Sequence, residues 1–398
     1  MACIPILCQI MCEVFRYFGS VLIDDRVTGL YERFTKVLAK RRDRSDWKEK
    51  LASDLNNLGS AAFDALIDNR SELWDLEFDC ESVLKTEPGE SGFIQLDSVT
   101  NSDFEERKIV TFLHKSFQEY SAAYYFAHLY DENKEKFSER LKQINSDNVF
   151  AMEYVLRFAC GLLKESPATE EILEHVQKQQ TIQVHDVNSC WHLEGGNCRE
   201  SRSLEVQTLV RVLLFETGST KMVDKLDRPT YVQCRRPQED WISLQHYLKC
   251  VRELQCPVFS MLRCVAFYGT YLHGRVKSLA LLVHPSLYSF TAHVNDMVDD
   301  DVDDLISIFP PERTRDLTVL DLSGNYLNAP ALVRFSVHLG SLPKLDPDKI
   351  RYVSTGDYVD VNEMVSVGFA LGSLGILFES PIRVVIGAET SQGAQVGQ

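Results

Sequence analysis

Residues 317–327 read LTVLDLSGNYL, and their spacing suits one backbone shape. Leu317, Leu320, Leu322, Asn325 and Leu327 fit the template L-x-x-L-x-L-x-x-N-x-L. In such a leucine-rich unit a short strand buries its leucines, and the asparagine bonds backbone groups where the strand turns. One rung cannot bury its apolar face alone; it needs about three or more stacked rungs and a cap. Upstream, Val276, Leu279 and Leu281 repeat the spacing with His284 at the asparagine position, which predicts a degenerate rung. After Leu345 the register fades. Residues 276–345 are therefore expected to hold a short degenerate array, and 346–398 an unassigned, disordered tail.

Before that array the apolar period is helical. Ile6, Ile10, Val14 and Phe18 share one face behind Pro5, which suits a first helical turn. Glu13 and Arg16 break the apolar run, so this is an amphipathic helix and not a membrane anchor, and no other stretch is long and apolar enough to span a bilayer. A second helix follows Thr28, its expected cap, with Leu30, Phe34, Val37 and Leu38 as the stripe. Residues 47–80 read as further helix, and residues 89–92 as a turn. FIQL and IVTFL read as two strands around the polar loop DSVTNSDFEER. Ser116 with Glu119 three residues on reads as a capping box opening the next helix, whose side carries Phe117, Tyr120, Ala123, Tyr124 and Ala127. Helices are expected over 149–163 and 204–215, while the polar stretch 164–203 has no assigned element. The fold class is mainly α with a small α+β winged helix. The expected division is a helical domain remnant over 1–45, a winged-helix domain over 46–130, a second helical domain over 131–275, then the repeats and tail.

Charge narrows the partners. A net charge of −16 repels phosphate backbones, and the loop after FIQL carries Asp97, Asp103, Glu105 and Glu106 against Arg107 and Lys108, so nucleic acid is not an expected partner. Eleven scattered cysteines fit reduced thiols and a cytoplasmic location better than a disulfide framework. His185, Cys190, His192 and Cys198 have zinc-ligand types without a zinc spacing. An EF-hand counted from Asp299 fails, because Asp304 falls where glycine is needed and Pro310 where the bidentate glutamate belongs. No P-loop G-x-x-x-x-G-K-[ST] occurs; Gly269 and Gly274 have the separation, but Arg275-Val276-Lys277-Ser278 follows. SVLIDDR at 20–26 imitates a Walker B strand with too little chain before it for a P-loop. Nothing matches a catalytic constellation, so no enzyme activity is expected.

FLHKSFQEYSAAYYFAH resembles the winged-helix segment of NOD-like receptors, the NACHT and leucine-rich-repeat proteins of innate immunity. Phe112, His114, Ser116, Phe117, Gln118, Glu119 and Tyr120 follow that family's F-x-H-x-S/T-F-Q-E-F/Y pattern. IPILCQIMC followed by TGLYERFTKVL is similar to its first helical domain, where a proline-leucine-cysteine helix precedes a Thr-x-x-Leu-Tyr helix. The resemblance implies that ADP would lie between a nucleotide-binding domain and the winged helix, with Pro5 by the adenine and His114 at the β-phosphate. An imidazole N–H at a helix N-terminus suits an anion. Read without the family, His114 bonds a nearby backbone carbonyl and Pro5 only starts a helix. With no P-loop, the chain alone is expected to bind no cofactor, ADP or ATP belonging to the intact family. The implied function is a non-catalytic regulatory fragment acting through protein partners, full-length NOD-like receptors among them. The alternative is a stand-alone leucine-rich-repeat scaffold for other proteins.

Overall fold

Helical apolar spacing yields helices in the computed structural model, which describes residues 5–18, 26–40, 47–70, 72–74, 85–90, 93–100, 106–179, 199–226, 228–229, 231–234, 236, 238–254, 258–322, 324–327, 331, 334–335, 337–338 and 350–351. The described chain is mainly helical with two small sheets. It divides into two units: residues 1–229 with 239–258, and residues 230–238 with 259–398. The division is interleaved, since the chain passes between the units three times.

In the first unit, α1 (Pro5–Phe18), α2 (Val27–Lys40) and α3 (Trp47–Ile67) precede β1 (Glu72–Trp74), the single turn α4 (Glu87–Glu90), β2 (Ile94–Thr100) and β3 (Glu106–Phe112). The strands are antiparallel with β3 in the centre, Ile94 opposite Phe112 and Glu72 opposite Thr111. Next come α5 (Lys115–Glu132), α6 (Lys134–Gln143), α7 (Glu153–Leu163), α8 (Pro167–Lys178), α9 (Arg199–Thr217) and α10 (Glu239–Leu254). The main packing runs α3 on α5, α5 on α7, α7 on α9 and α9 on α10.

Two helical expectations need correction. Residues 47–80 are not helical throughout: α3 stops at Ile67, and Glu72–Trp74 is a strand. Asn69 takes the left-handed backbone (φ 57°), and the Asn69 and Arg70 N–H groups donate to Leu66 and Ala65 carbonyls at 3.1 and 2.7 Å. That is a Schellman stop, which Asn tolerates better than most residues. The unassigned stretch 164–203 holds a helix, α8. Ser166 caps it by accepting from Ala168 N–H at 3.3 Å, with Pro167 at the first position. The pair Ser-Pro marked that start. Residues 180–198, with the four zinc-type ligands, lie outside the described residues.

The second unit is built on a parallel sheet, β4 (Tyr231–Cys234), β5 (Cys264–Tyr268), β6 (Ser289–His293), β7 (Val319–Asp321) and β8 (Ile350–Arg351). Val232, Val265, Phe290, Leu320 and Ile350 stand in register across it. The partner of Leu320 is thus Phe290, and the preceding unit runs Leu287, Phe290, Ala292, Asn295 and Met297. The rung expected at Val276, Leu279, Leu281 and His284 is not a strand; Val276–Leu282 is a 3-10 helix. Asn295 decides between the registers, because a buried side-chain amide must find backbone partners. Its Nδ2 donates to Phe267 and His293 carbonyls at 3.1 and 3.0 Å, and its Oδ1 accepts from Thr270 N–H at 2.7 Å. Asn325 repeats the pattern one strand on, donating to Ala292 and Leu322 carbonyls at 2.7 and 2.8 Å and accepting from Asn295 N–H at 2.9 Å. The sheet also opens earlier, at Tyr231, than the boundary at 276.

Just before Thr270, Asn295 and Asn325 the backbone is left-handed, at Gly269 (φ 60°), Val294 (φ 53°) and Gly324 (φ 72°). A β-branched side chain is strained there. Replacing Val294 with glycine should therefore stabilise the chain by about 1 kcal/mol in urea unfolding. The opposite sign is expected in α3, where a Cβ on Gly59 would run into the Ser121 carbonyl oxygen and Tyr125 Cβ of α5. Gly59→Ala, stabilising by up to ~1 kcal/mol in an exposed helix, should here cost about 1–3 kcal/mol by overpacking, read in the same experiment.

Candidate functional site

Two residues join β3 to α5. Leu113 N–H donates to the Phe93 carbonyl at 3.0 Å, and His114 follows in extended backbone (φ −152°, ψ 142°) as the residue that caps α5. Its Nδ1 accepts from Ser116 N–H at 3.2 Å and lies 2.7 Å from Ser116 Oγ. The capping box assigned to Ser116 and Glu119 is thereby corrected: the imidazole lone pair takes the orphan N–H, and the serine hydroxyl is committed elsewhere. Tyr31 OH, from α2, donates to Ser116 Oγ. The serine hydroxyl hydrogen is then directed at His114 Nδ1. The reading in which His114 bonds a nearby carbonyl is not what the geometry gives.

With Nδ1 an acceptor, the ring proton sits on Nε2. Burial holds the pKa of His114 below its ordinary value, which keeps the ring neutral. The Nε2–H has no hydrogen-bond partner among the described residues. The ring is half-buried, so a neutral donor stands at the N-terminal end of an 18-residue helix. Tyr31 is locked behind it by Phe117, Tyr120 and Phe158, at ring-centroid distances of 6.0, 5.3 and 4.9 Å. Burial, against the Ser116 hydrogen bond, pushes the Tyr31 phenol up to about 12. It stays protonated and serves as a donor.

The start of α2 is held from elsewhere in the unit. Thr28 does not cap it. The Val27 and Thr28 N–H groups donate to the Glu216 carboxylate of α9, each at 3.3 Å, and Thr28 Oγ1 donates to it at 3.0 Å. Arg157 of α7 donates to the same carboxylate through Nε and Nη2 at 3.2 and 3.0 Å. Its Nη1 meets Glu239 at 3.3 Å and Glu153 at 3.6 Å. Arg157 and Glu216 are both buried. This network fixes α2, and through α2 the Tyr31–Ser116–His114 relay.

Pro5 is the first residue of α1, and the structure describes its backbone only. α1 packs on α2. The residues that sequence reasoning missed are Tyr31, Arg157 and Glu216. Arg157 in EYVLRFACGLL and Glu216 in VRVLLFET are charges set in apolar helical runs, and charges there need partners. Among the described residues no group of three His, Cys, Asp or Glu side chains is placed to hold a metal, and no helix is long and apolar enough to cross a membrane. The Gly269–Ser278 stretch is no phosphate cradle: Gly269 N–H donates to the His293 carbonyl, Gly274 N–H to Asp301 Oδ1, and Lys277 pairs with Asp304. No family model matches the chain, and no curated protein matches it.

One turn into α5 lies Glu119, buried and 3.4 Å from the exposed Lys115 ammonium. Burial, partly offset by Lys115, pushes its pKa up to about 7 from 4.5. The folded state then holds a proton that the unfolded state releases. The contribution of Glu119 is complete below the unfolded value and is lost as pH rises through about 7. Stability should therefore fall by on the order of 3 kcal/mol between about pH 4.5 and pH 8 from this group. Urea unfolding across that range should show the slope in the parent chain and a flatter one in Glu119→Gln.

Proposed function

We propose that the chain is a non-catalytic regulatory part of a NOD-like innate immune receptor, with β2, β3 and α5 as its winged helix and the parallel strands as its leucine-rich end. The observation that carries this reading is the meeting of the two family-like stretches. Tyr31 belongs to the TGLYERFTKVL helix and His114 to the F-x-H-x-S-F-Q-E segment, and Ser116 joins them. The relay leaves a neutral Nε2–H without a partner among the described residues at a helix N-terminus, which suits a diphosphate oxygen supplied by another domain. The role is positioning and not chemistry: the donor favours a closed arrangement whose population a nucleotide shifts. The partners are proteins that carry the P-loop this sequence lacks, full-length receptors of the same family among them.

A second reading has its own support. Asn295 and Asn325 tie three rungs together, and a stacked sheet of that kind suits a stand-alone scaffold for other proteins. The readings separate on nucleotide dependence. Calorimetric titration of ADP into the chain alone should give no binding heat. A NOD-like nucleotide-binding domain supplied in trans should bind the chain about tenfold tighter with ADP than without it, a difference of about 1.4 kcal/mol. His114→Ala should remove that difference. Binding that ignores both ADP and His114 would leave the scaffold reading.

A further inference from the structure

A second set of contacts, apart from the asparagine bonds, ties the segment after β5 to the helix after β6. That helix, α11 (Asp301–Ile308), opens on a buried acid, Asp301. Asp301 Oδ1 accepts from Gly274 N–H at 2.7 Å. Its Oδ2 accepts from Val298 N–H at 2.9 Å and lies 3.0 Å from His273 Nδ1. One turn on, the Asp304 carboxylate meets the Lys277 ammonium at 2.7 Å. Two adjacent ion pairs therefore join residues 273–277 to the first turn of α11.

The two pairs answer differently to protons. Lys277 holds its charge more firmly than usual, through its hydrogen bond to Asp304, whereas an imidazole loses its charge near neutral pH. Among the described residues His273 is the cation in contact with Asp301, whose other partners are two backbone amides. A buried carboxylate left with amides alone lacks a counter-charge. The Asp301 hydrogen bond and charge, with Asp300 adding to them, raise the pKa of His273 above its ordinary value. Asp300 and Asp301 face the ring from α11, and Asp303 and Asp304 face Lys277. Tyr271, Arg275 and Lys277 are on its own segment, and the turn before α11 carries Asp296 and Asp299. With the folded value raised, the imidazolium contributes fully below the unfolded value, and the contribution is lost as pH rises through the folded one.

Any opening is confined to a short length. His273, Gly274 and Arg275 are exposed, while Leu272 and Val276 on either side are buried. Leu272 N–H is fixed to the Asn295 carbonyl at 2.8 Å. Tyr271 (φ 57°) and Gly274 (φ 67°) hold left-handed backbone. For tyrosine that conformation is strained and persists only while its surroundings fix it.

We propose that His273 is a proton-operated latch: its imidazolium closes residues 273–275 onto the Asp301 carboxylate, and its neutral form lets them open while the sheet stays intact. The latch lies wholly in the second unit and does not rest on the nucleotide reading.

The test is hydrogen exchange of the full chain at about pH 6 and about pH 8, on either side of the imidazole range, with intrinsic rates divided out. The Gly274 amide, which bonds the carboxylate directly, is read against the Asn295 amide of the sheet. Relative protection of Gly274 should be about threefold greater at the lower pH, the scale of an exposed ion pair. His273→Gln keeps an N–H donor and cannot take the proton, so its relative protection should be the same at both. Lys277→Gln should lower protection at both and preserve the ratio. In the parent chain the His273 ring resonance should titrate above 6.5, and Asp300→Asn should bring its midpoint down. Equal protection at the two values, a pH dependence that survives His273→Gln, or a His273 midpoint at or below 6.5 would overturn the proposal.

Discussion

The first unit depends on one buried ion pair. Arg157 and Glu216 sit inside packed apolar helices, where either charge alone would be intolerable. A buried pair stabilises only when the remaining lone pairs and protons are also satisfied, and breaking one typically costs about 3–5 kcal/mol. Here the carboxylate takes two guanidinium N–H groups, two N–H groups of α2 and the Thr28 hydroxyl. A negative group at the N-terminus of α2 also meets the positive end of that helix. The pair therefore orients α2 as well as joining α7 to α9. Tyr31 follows one turn later, so the imidazole relay inherits its position from a contact formed elsewhere in the fold.

That inheritance limited what the sequence could reveal. Local signals were sound where local physics decides. The opening of α1 at Pro5, the existence of the two strands and the helix from Lys115 all follow from periodicity and turn residues, although the strands run on into the expected polar loop, to Thr100 and from Glu106. They failed where a distant group supplied the partner. Thr28 has the right chemistry for a cap, yet Glu216 takes the role from 188 positions away. Ser116 likewise suits a cap, but Tyr31 claims its hydroxyl and leaves His114 to bind the amide. In the sheet the error was one of register. Leucine spacing admitted a rung at 276–284, whereas the residue that sets the stacking is Asn295, whose strand buries phenylalanine and alanine at two of the template's leucine positions.

Of the candidate site, the residue type and its place at a helix start were legible, while the protonation state was not. A histidine that accepts two hydrogen bonds on Nδ1 is committed to one tautomer, and its partial burial opposes charging. The result is a donor without a cation. It contributes direction to an anion more than attraction, and it leaves net charge at the mouth of α5 unchanged. Glu119, lower in the same helix, has the reverse character: an acid that burial brings into the physiological range.

The interleaving of the two units has a consequence for anyone dividing this protein. Strand β4 belongs to the unit built on the parallel sheet, yet α10, which follows it directly, belongs to the helical one. A single break in the polypeptide cannot release either unit whole. Cleavage after 229 hands α10 to the wrong piece, and cleavage after 258 does the same to β4. Separate production of the halves therefore calls for rearranged connectivity, with α10 rejoined to the helical portion through a new linker.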